Sequence, residues 1–131
     1  MHKVNLDYVL HVTTPNEPGI LGRVMSTMAN AGVNLRAIHA FSDKSKGIFT
    51  LLTSDNKKAS KALKTLGYKV KDDEVLMVQL ADRIGAGAEI GALLGNAIID
   101  VDYCFGSSAG VGQVLLVIKT NDNQKAYETL R

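Results

Sequence analysis

Residues 16–39 read NEPGILGRVMSTMANAGVNLRAIH, and residues 82–105 read DRIGAGAEIGALLGNAIIDVDYCF. Laid over one another without a gap, Gly19 falls on Gly85, Val24 on Ile90, Met28 on Leu94, Asn30 on Asn96 and Ala31 on Ala97. Val33-Asn34-Leu35 then meets Ile99-Asp100-Val101. The pattern continues outward in both directions. Upstream, Tyr8-Val9-Leu10-His11-Val12 answers Val75-Leu76-Met77-Val78-Gln79, one residue out of step, and downstream Gly47-Ile48-Phe49-Thr50-Leu51-Leu52 answers Gln113-Val114-Leu115-Leu116-Val117-Ile118. Identities are few, but the same order of four segments marks an internal repeat.

Each copy reads the same way. Residues 6–13 are rich in β-branched and aromatic side chains and predict a strand. Asn16 suits a helix cap, and Pro18 sits where a missing N–H costs little. Ile20, Leu21, Val24, Met25, Met28 and Ala31 form one helical stripe, which Gly32 ends. Strands follow at about 34–41 and 47–53, then a helix at about 57–66 and a short strand at 68–70. Lys71-Asp72-Asp73-Glu74 reads as a short polar turn between the copies, and the second copy predicts a strand at 75–80, a helix at 84–96, strands at 99–105 and 111–119, and a helix at 122–130. The order β-α-β-β-α-β is the ferredoxin-like α+β sandwich, with both helices on one face of an antiparallel sheet. The sequence therefore divides into tandem repeats at 1–71 and 72–131, the second without room for its fourth strand.

Composition narrows the function. The chain has 131 residues, 46% hydrophobic and 21% charged, a globular balance. No apolar run approaches the roughly 20 residues of a spanning helix, and the N-terminus lacks the apolar segment of a signal peptide. A net charge of +2 is too small to argue for nucleic acid, and the lysines at 57, 58, 61 and 64 suit the wet face of a helix. The single Cys104 points to a reducing, cytoplasmic setting. No catalytic residue stands out: His11 and His39 lie on predicted strands, Cys104 reads as a small core residue without a base, and Ser107 and Ser108 lie in a turn. Metal spacing and cofactor motifs are missing too.

The stretch Asn16-Glu17-Pro18-Gly19-Ile20-Leu21-Gly22-Arg23-Val24, followed by Ala31-Gly32-Val33-Asn34-Leu35, resembles the signature of ACT domains. There a strand runs into an Asn/Asp-x-Pro-Gly turn, then a helix, then a Gly-φ-Asn-φ start to strand two, where φ is an apolar residue. The second repeat follows this in pattern only, with Ile84 for Pro18 and Asp100 for Asn34. The resemblance implies a non-catalytic, regulatory protein that binds an amino acid or a related small carboxylate. In amino-acid-binding relatives, an asparagine of the turn and one at the start of strand two come from different domains and share a ligand; Asn16 and Asn34 match them. A histidine that the family's turn can carry is here Thr14.

Physical chemistry agrees with that placement. A helix N-terminus offers unpaired N–H groups to a carboxylate, and a glycine such as Gly19 lets it come close. The expected ligand residues are accordingly Asn16, Glu17, Pro18, Gly19, Ile20 and Leu21 with Asp100 and Val101, and a weaker set of Asp82 and Gly85 with Asn34 and Leu35. Three further expectations follow. Strands 34–41 and 99–105 lie side by side in a joint sheet. Helices cover one sheet face, leaving the apolar residues of the other for a partner. The bare edge of strand 75–80 is covered, either by strand 68–70 running on through the linker or, preferably, by a second chain in a homodimer; a regulated enzyme is the other partner, and a ligand-free assembly module the alternative function.

Overall fold

The computed structural model describes residues 2–108, 110 and 112–131. Among them the order is β1 (Lys3–Pro15), α1 (Ile20–Asn30), β2 (Leu35–Asp43), β3 (Lys46–Thr53), α2 (Asn56–Thr65), β4 (Lys69–Ala81), α3 (Ala86–Asn96), β5 (Val101–Ser108), β6 (Gln113–Thr120) and α4 (Asn123–Leu130). The predicted start of the penultimate strand at 111 lies outside the described residues. The chain forms two compact units: Tyr8–Asp73, and residues 2–7 joined to Glu74–Arg131.

In the unit of 8–73 the strands run β2-β3-β1-β4, with β3 antiparallel to both β1 and β2. Leu10 and Val12 of β1 and Phe49 and Leu51 of β3 pack with Val24 and Met28 of α1 and Ala59 and Leu63 of α2. These side chains alternate along the strands and recur at helical spacing, so one face of each element is removed from water. Burying each of the larger ones stabilises the unit by about 1.5–3 kcal/mol.

In the other unit the strands run β1-β4-β6-β5, and β6 is antiparallel to both β4 and β5. Leu76, Val78 and Leu80 of β4 pack with Ile90 and Leu94 of α3 and Ala126 and Leu130 of α4. Val4 of β1 belongs to this same core and is 7% exposed. Residues 2–7, read from the sequence as part of the first repeat, thus fall with the second. They stand beside β4 at the strand position that the second repeat's own sequence leaves empty.

Two expectations change. Lys71-Asp72-Asp73-Glu74 is not a polar turn: β4 runs unbroken through it, because neighbouring β1 lets charged residues stay in an extended chain. The edge of 75–80 needs no second chain, since β1 covers it. Strand β2 pairs with β3, and β5 pairs with β6. The second face of the apolar strands is also largely buried within the chain. Val9, Leu52, Val75, Met77 and Val117 belong to neither helix-facing core, yet none exceeds 4% exposure.

Candidate functional site

The turn into α1 is built on Gly19, whose φ of 87° is left-handed and suits glycine. Gly19, not Asn16, is the helix cap, and no side chain caps the helix. The Ile20 N–H donates to the Glu17 carbonyl at 3.2 Å and the Arg23 N–H to the Gly19 carbonyl at 3.0 Å. Helix geometry leaves the N–H groups of Leu21 and Gly22 without an intrahelical acceptor, at the positive end of the helix dipole. Asn16 has a different task from the one its cap-like position suggested. Its backbone N–H donates to the Ser45 carbonyl at 2.9 Å and its Nδ2 to the Lys44 carbonyl at 3.1 Å, fastening the turn to the β2–β3 loop. The Oδ1 atom still has its acceptor capacity. Glu17 meets Arg23 at 3.5 Å on the surface, an exposed pair of little energetic weight. Pro18 is exposed, Leu21 is half exposed and Ile20 packs against the core from its edge.

The second repeat reproduces this backbone despite its different sequence. Gly85 has φ 88°, the Ala86 N–H donates to Arg83 at 3.2 Å, and the Glu89 N–H to Gly85 at 3.1 Å. Ile84, in the place of Pro18, is fully exposed. The glycine therefore sets the turn and the proline is dispensable. Asp82 resembles Asn16 in its backbone, whose N–H donates to Gly112 at 3.0 Å, but its carboxylate accepts from the Ser108 hydroxyl. Across the turn Arg83 and Glu89 approach to 2.6 Å. Their hydrogen bond, then their opposite charge, raises the arginine pKa and lowers that of the glutamate.

Both starts of the second strand are held by the loop that leads into the next helix. The Asn34 N–H donates to the Ser54 hydroxyl at 2.9 Å, and the Asn34 carbonyl accepts from the Ser54 N–H at 2.9 Å. Asp100 is held alike by Asn121, at 3.1 and 3.0 Å. Both backbones are fixed while both side chains stay exposed. Leu35 packs at the edge of the first core, whereas Val101 is 45% exposed.

Supporting these loops is a polar box that sequence reasoning missed. The Thr53 hydroxyl donates to Asn56 Oδ1 at 2.6 Å, and the Asn56 Nδ2 donates to the Tyr8 carbonyl at 3.0 Å. Thr120 and Asn123 repeat this at 2.8 Å, with Asn123 Nδ2 donating to the Glu74 carbonyl at 2.8 Å. Asp55 and Asp122 cap α2 and α4. The signal was present as Thr53-Ser54-Asp55-Asn56 against Thr120-Asn121-Asp122-Asn123.

The turn and the start of β2 do not converge within one unit. They lie at opposite ends of α1, whose 11 residues span about 16 Å. Among the other polar groups, His11 lies between the Thr50 hydroxyl at 3.0 Å and Asp73 at 2.9 Å. Cys104 is exposed rather than a core residue, and partial burial pushes its thiol pKa up. Among the described residues no cluster of three or more His, Cys, Asp or Glu could hold a metal ion. Among the described residues no helix is long and apolar enough to cross a membrane.

A family model described as an ACT domain pair matches residues 7–130. The chain belongs to this family. ACT domains are regulatory, ligand-binding domains. Protein BT0572 from Bacteroides thetaiotaomicron superposes with a TM-score of 0.90 at 24% identity, covering 97% of this chain and 88% of that one. The ligand-free regulatory subunit of aspartate kinase from Thermus thermophilus gives 0.72 at 14% identity, covering 98% and 94%. An aspartokinase with alpha and beta subunits gives 0.69 at 17% identity, covering 97% and 93%. At these identities the likeness shows the ACT pair's fold. No curated protein matches the sequence.

Proposed function

We propose that this ACT domain pair is a non-catalytic regulator that binds an amino acid or a related small carboxylate at the glycine turn of α1. The observation that carries this is the uncapped helix start behind Gly19, which leaves the Leu21 and Gly22 amides without an intrahelical acceptor at the positive end of the dipole. Such a start favours a carboxylate, and an amide oxygen favours an ammonium group. The residues proposed to touch ligand are Asn16, Glu17, Pro18, Gly19, Ile20 and Leu21. Asp100 and Val101, and for the weaker counterpart Asn34 and Leu35, are the further residues proposed to touch ligand, at strand starts that α1 separates from the turn within one unit. Asp82 and Gly85 form the weaker counterpart, because the Ser108 hydroxyl already occupies the Asp82 carboxylate.

A homodimer is the proposed assembly. A cytoplasmic enzyme is the proposed regulated partner. A thermal-shift screen of the twenty amino acids and common aromatic and branched-chain acids tests the reading. Saturation a hundredfold above the dissociation constant stabilises the native state by about 2.7 kcal/mol. If nothing in the panel moves the transition, amino-acid sensing is rejected. The second reading, a ligand-free assembly module, is favoured by the exposed apolar residues Ile84 and Val101 in the second unit, and a self-associating chain that ignores the panel supports it.

A further inference from the structure

The unit of 8–73 also holds a cleft of about 650 Å³ that the glycine-turn reading leaves unused. His11, Thr13, Lys46, Tyr68, Lys69 and Lys71 are among the residues that line it. Strand alternation explains the gathering. Leu10, Val12, Phe49 and Leu51 point at the helices, so His11, Thr13 and Lys46 point to the opposite face. Tyr68 and Val70 pack against the helix-facing core, which turns Lys69 and Lys71 to that same face. Asp72 is turned away from it by the same alternation, and Asp73 is engaged by His11 at 2.9 Å.

The charge is one-sided. The whole chain carries 15 basic and 13 acidic residues, nearly balanced. The cleft is lined by three lysines and no carboxylate. Lys46, Lys69 and Lys71 are exposed, and among the described residues none of the three is in an ion pair. Gathering like charges without a counter-charge costs free energy, which an anion would offset.

The second repeat acts as an internal control. Lys46 pairs with Pro15 on β1, and the corresponding pair in the second repeat is Gln113 with Ala81. His11 opposite Thr50 corresponds to Met77 opposite Val117, and Thr13 opposite Ile48 to Gln79 opposite Leu115. The fold is thus built equally well with neutral and apolar residues at these places. Lys46 and His11 are particular to the first repeat and are not demanded by its packing.

We infer that this cleft is a second ligand site, separate from the glycine turn, for a small multiply charged anion, either a phosphate ester or a polycarboxylate. Lysines serve as point charges for such groups, and the volume lies within the range of small-molecule sites. Calorimetric titration of the full chain with pyrophosphate, ATP and citrate tests it, with Lys69→Gln, Lys71→Gln and, as a control of equal charge change, Lys125→Gln on α4. At least one probe binds at one site per chain. The two cleft variants weaken it about tenfold or more while keeping their melting temperature, and Lys125→Gln leaves it unchanged. Tighter binding of pyrophosphate and ATP assigns a phosphate ester, and tighter binding of citrate a polycarboxylate. Absence of heat from all three probes, or equal losses in Lys125→Gln, overturns the inference. Lys69→Gln and Lys71→Gln keep any amino-acid response of the thermal-shift screen, so failure here is distinct from failure of the glycine-turn reading.

Discussion

Ile98 occupies in the second repeat the backbone place that Gly32 holds in the first. Its φ is 57° against 72° at Gly32. The hydrogen bonds agree as well: Gly32 N–H donates to Ala29 and Val33 N–H to Met28, as Ile98 N–H does to Gly95 and Ile99 N–H to Leu94. A β-branched residue in the left-handed region costs about 1–2 kcal/mol. Its side chain is 86% exposed, so burial does not repay the strain.

Ile98→Gly therefore raises stability. The relief of strain outweighs the greater freedom that glycine gives the unfolded chain, for a net gain of about 0.5–1 kcal/mol. In urea the midpoint moves up at unchanged slope. A lower midpoint would mean that Ile98 makes a stabilising contact.

The N-terminal strand lends the second unit a core residue. Val4→Ala removes apolar surface from the cluster of Leu76, Val78 and Ile90 and costs about 1–2 kcal/mol. Amide exchange reads where the cost falls. Protection drops in 75–80 while the core around Val24 and Leu63 keeps its own. Equal loss in both places would show that residues 2–7 do not support the second unit selectively.

Much of this architecture was legible in the sequence, because the repeat register and helical stripes depend on local patterning. The contribution of residues 2–7 was not. Nothing in Lys3-Val4-Asn5-Leu6-Asp7 says which repeat its one deeply buried residue serves, for strand pairing between distant segments leaves no local mark. The strand through Lys71-Asp72-Asp73-Glu74 was missed for a related reason: four charged residues read as a turn until a neighbouring strand accepts their backbone. At the candidate site, Gly19 and Gly85 were readable from their position alone. Asn16 was misread as a cap because its spacing fits one, while its actual acceptor, the Lys44 carbonyl, is remote in sequence.

The polar box behind the strand starts is a structural unit. Asn123 is 8% exposed and joins Thr120 to the Glu74 carbonyl. Asn123→Ala leaves both groups short of a partner and costs about 2–3 kcal/mol. Gln124→Ala, on the exposed surface of the same helix, changes little. Comparable losses in both variants would assign the effect to helix propensity.

Two strand glycines differ in what a methyl group would meet. At Gly106 a Cβ would stand 2.6 Å from the Leu115 carbonyl oxygen, part of the paired β6 backbone. At Gly47 the obstacle is the Thr14 hydroxyl, also at 2.6 Å, which can rotate away from its bond to the Pro15 carbonyl. Gly106→Ala costs about 1–3 kcal/mol, and Gly47→Ala costs less. The reverse order in thermal unfolding would show that β5 yields more readily than Thr14.

The glycine-turn reading has its own test once the screen has selected an amino acid. Asn16→Ala removes an amide oxygen facing the ligand's ammonium group and weakens binding by about 1–2 kcal/mol, the scale of a hydrogen bond to a charged group. The same change also frees the Lys44 carbonyl, so the loss could arise from a loosened turn. Asn16→Asp separates the two causes. A carboxylate keeps an acceptor for the ammonium group but cannot donate to Lys44, and its charge opposes the ligand's carboxylate at the helix start. If Asn16 acts on the ligand directly, Asn16→Asp and Asn16→Ala differ in affinity near neutral pH; if only the Lys44 bond matters, both lose it and bind alike. Arg23→Ala, which removes only the exposed contact to Glu17, binds as the parent does. Unchanged affinity in Asn16→Ala, with its melting temperature intact, would place the amino acid away from this turn.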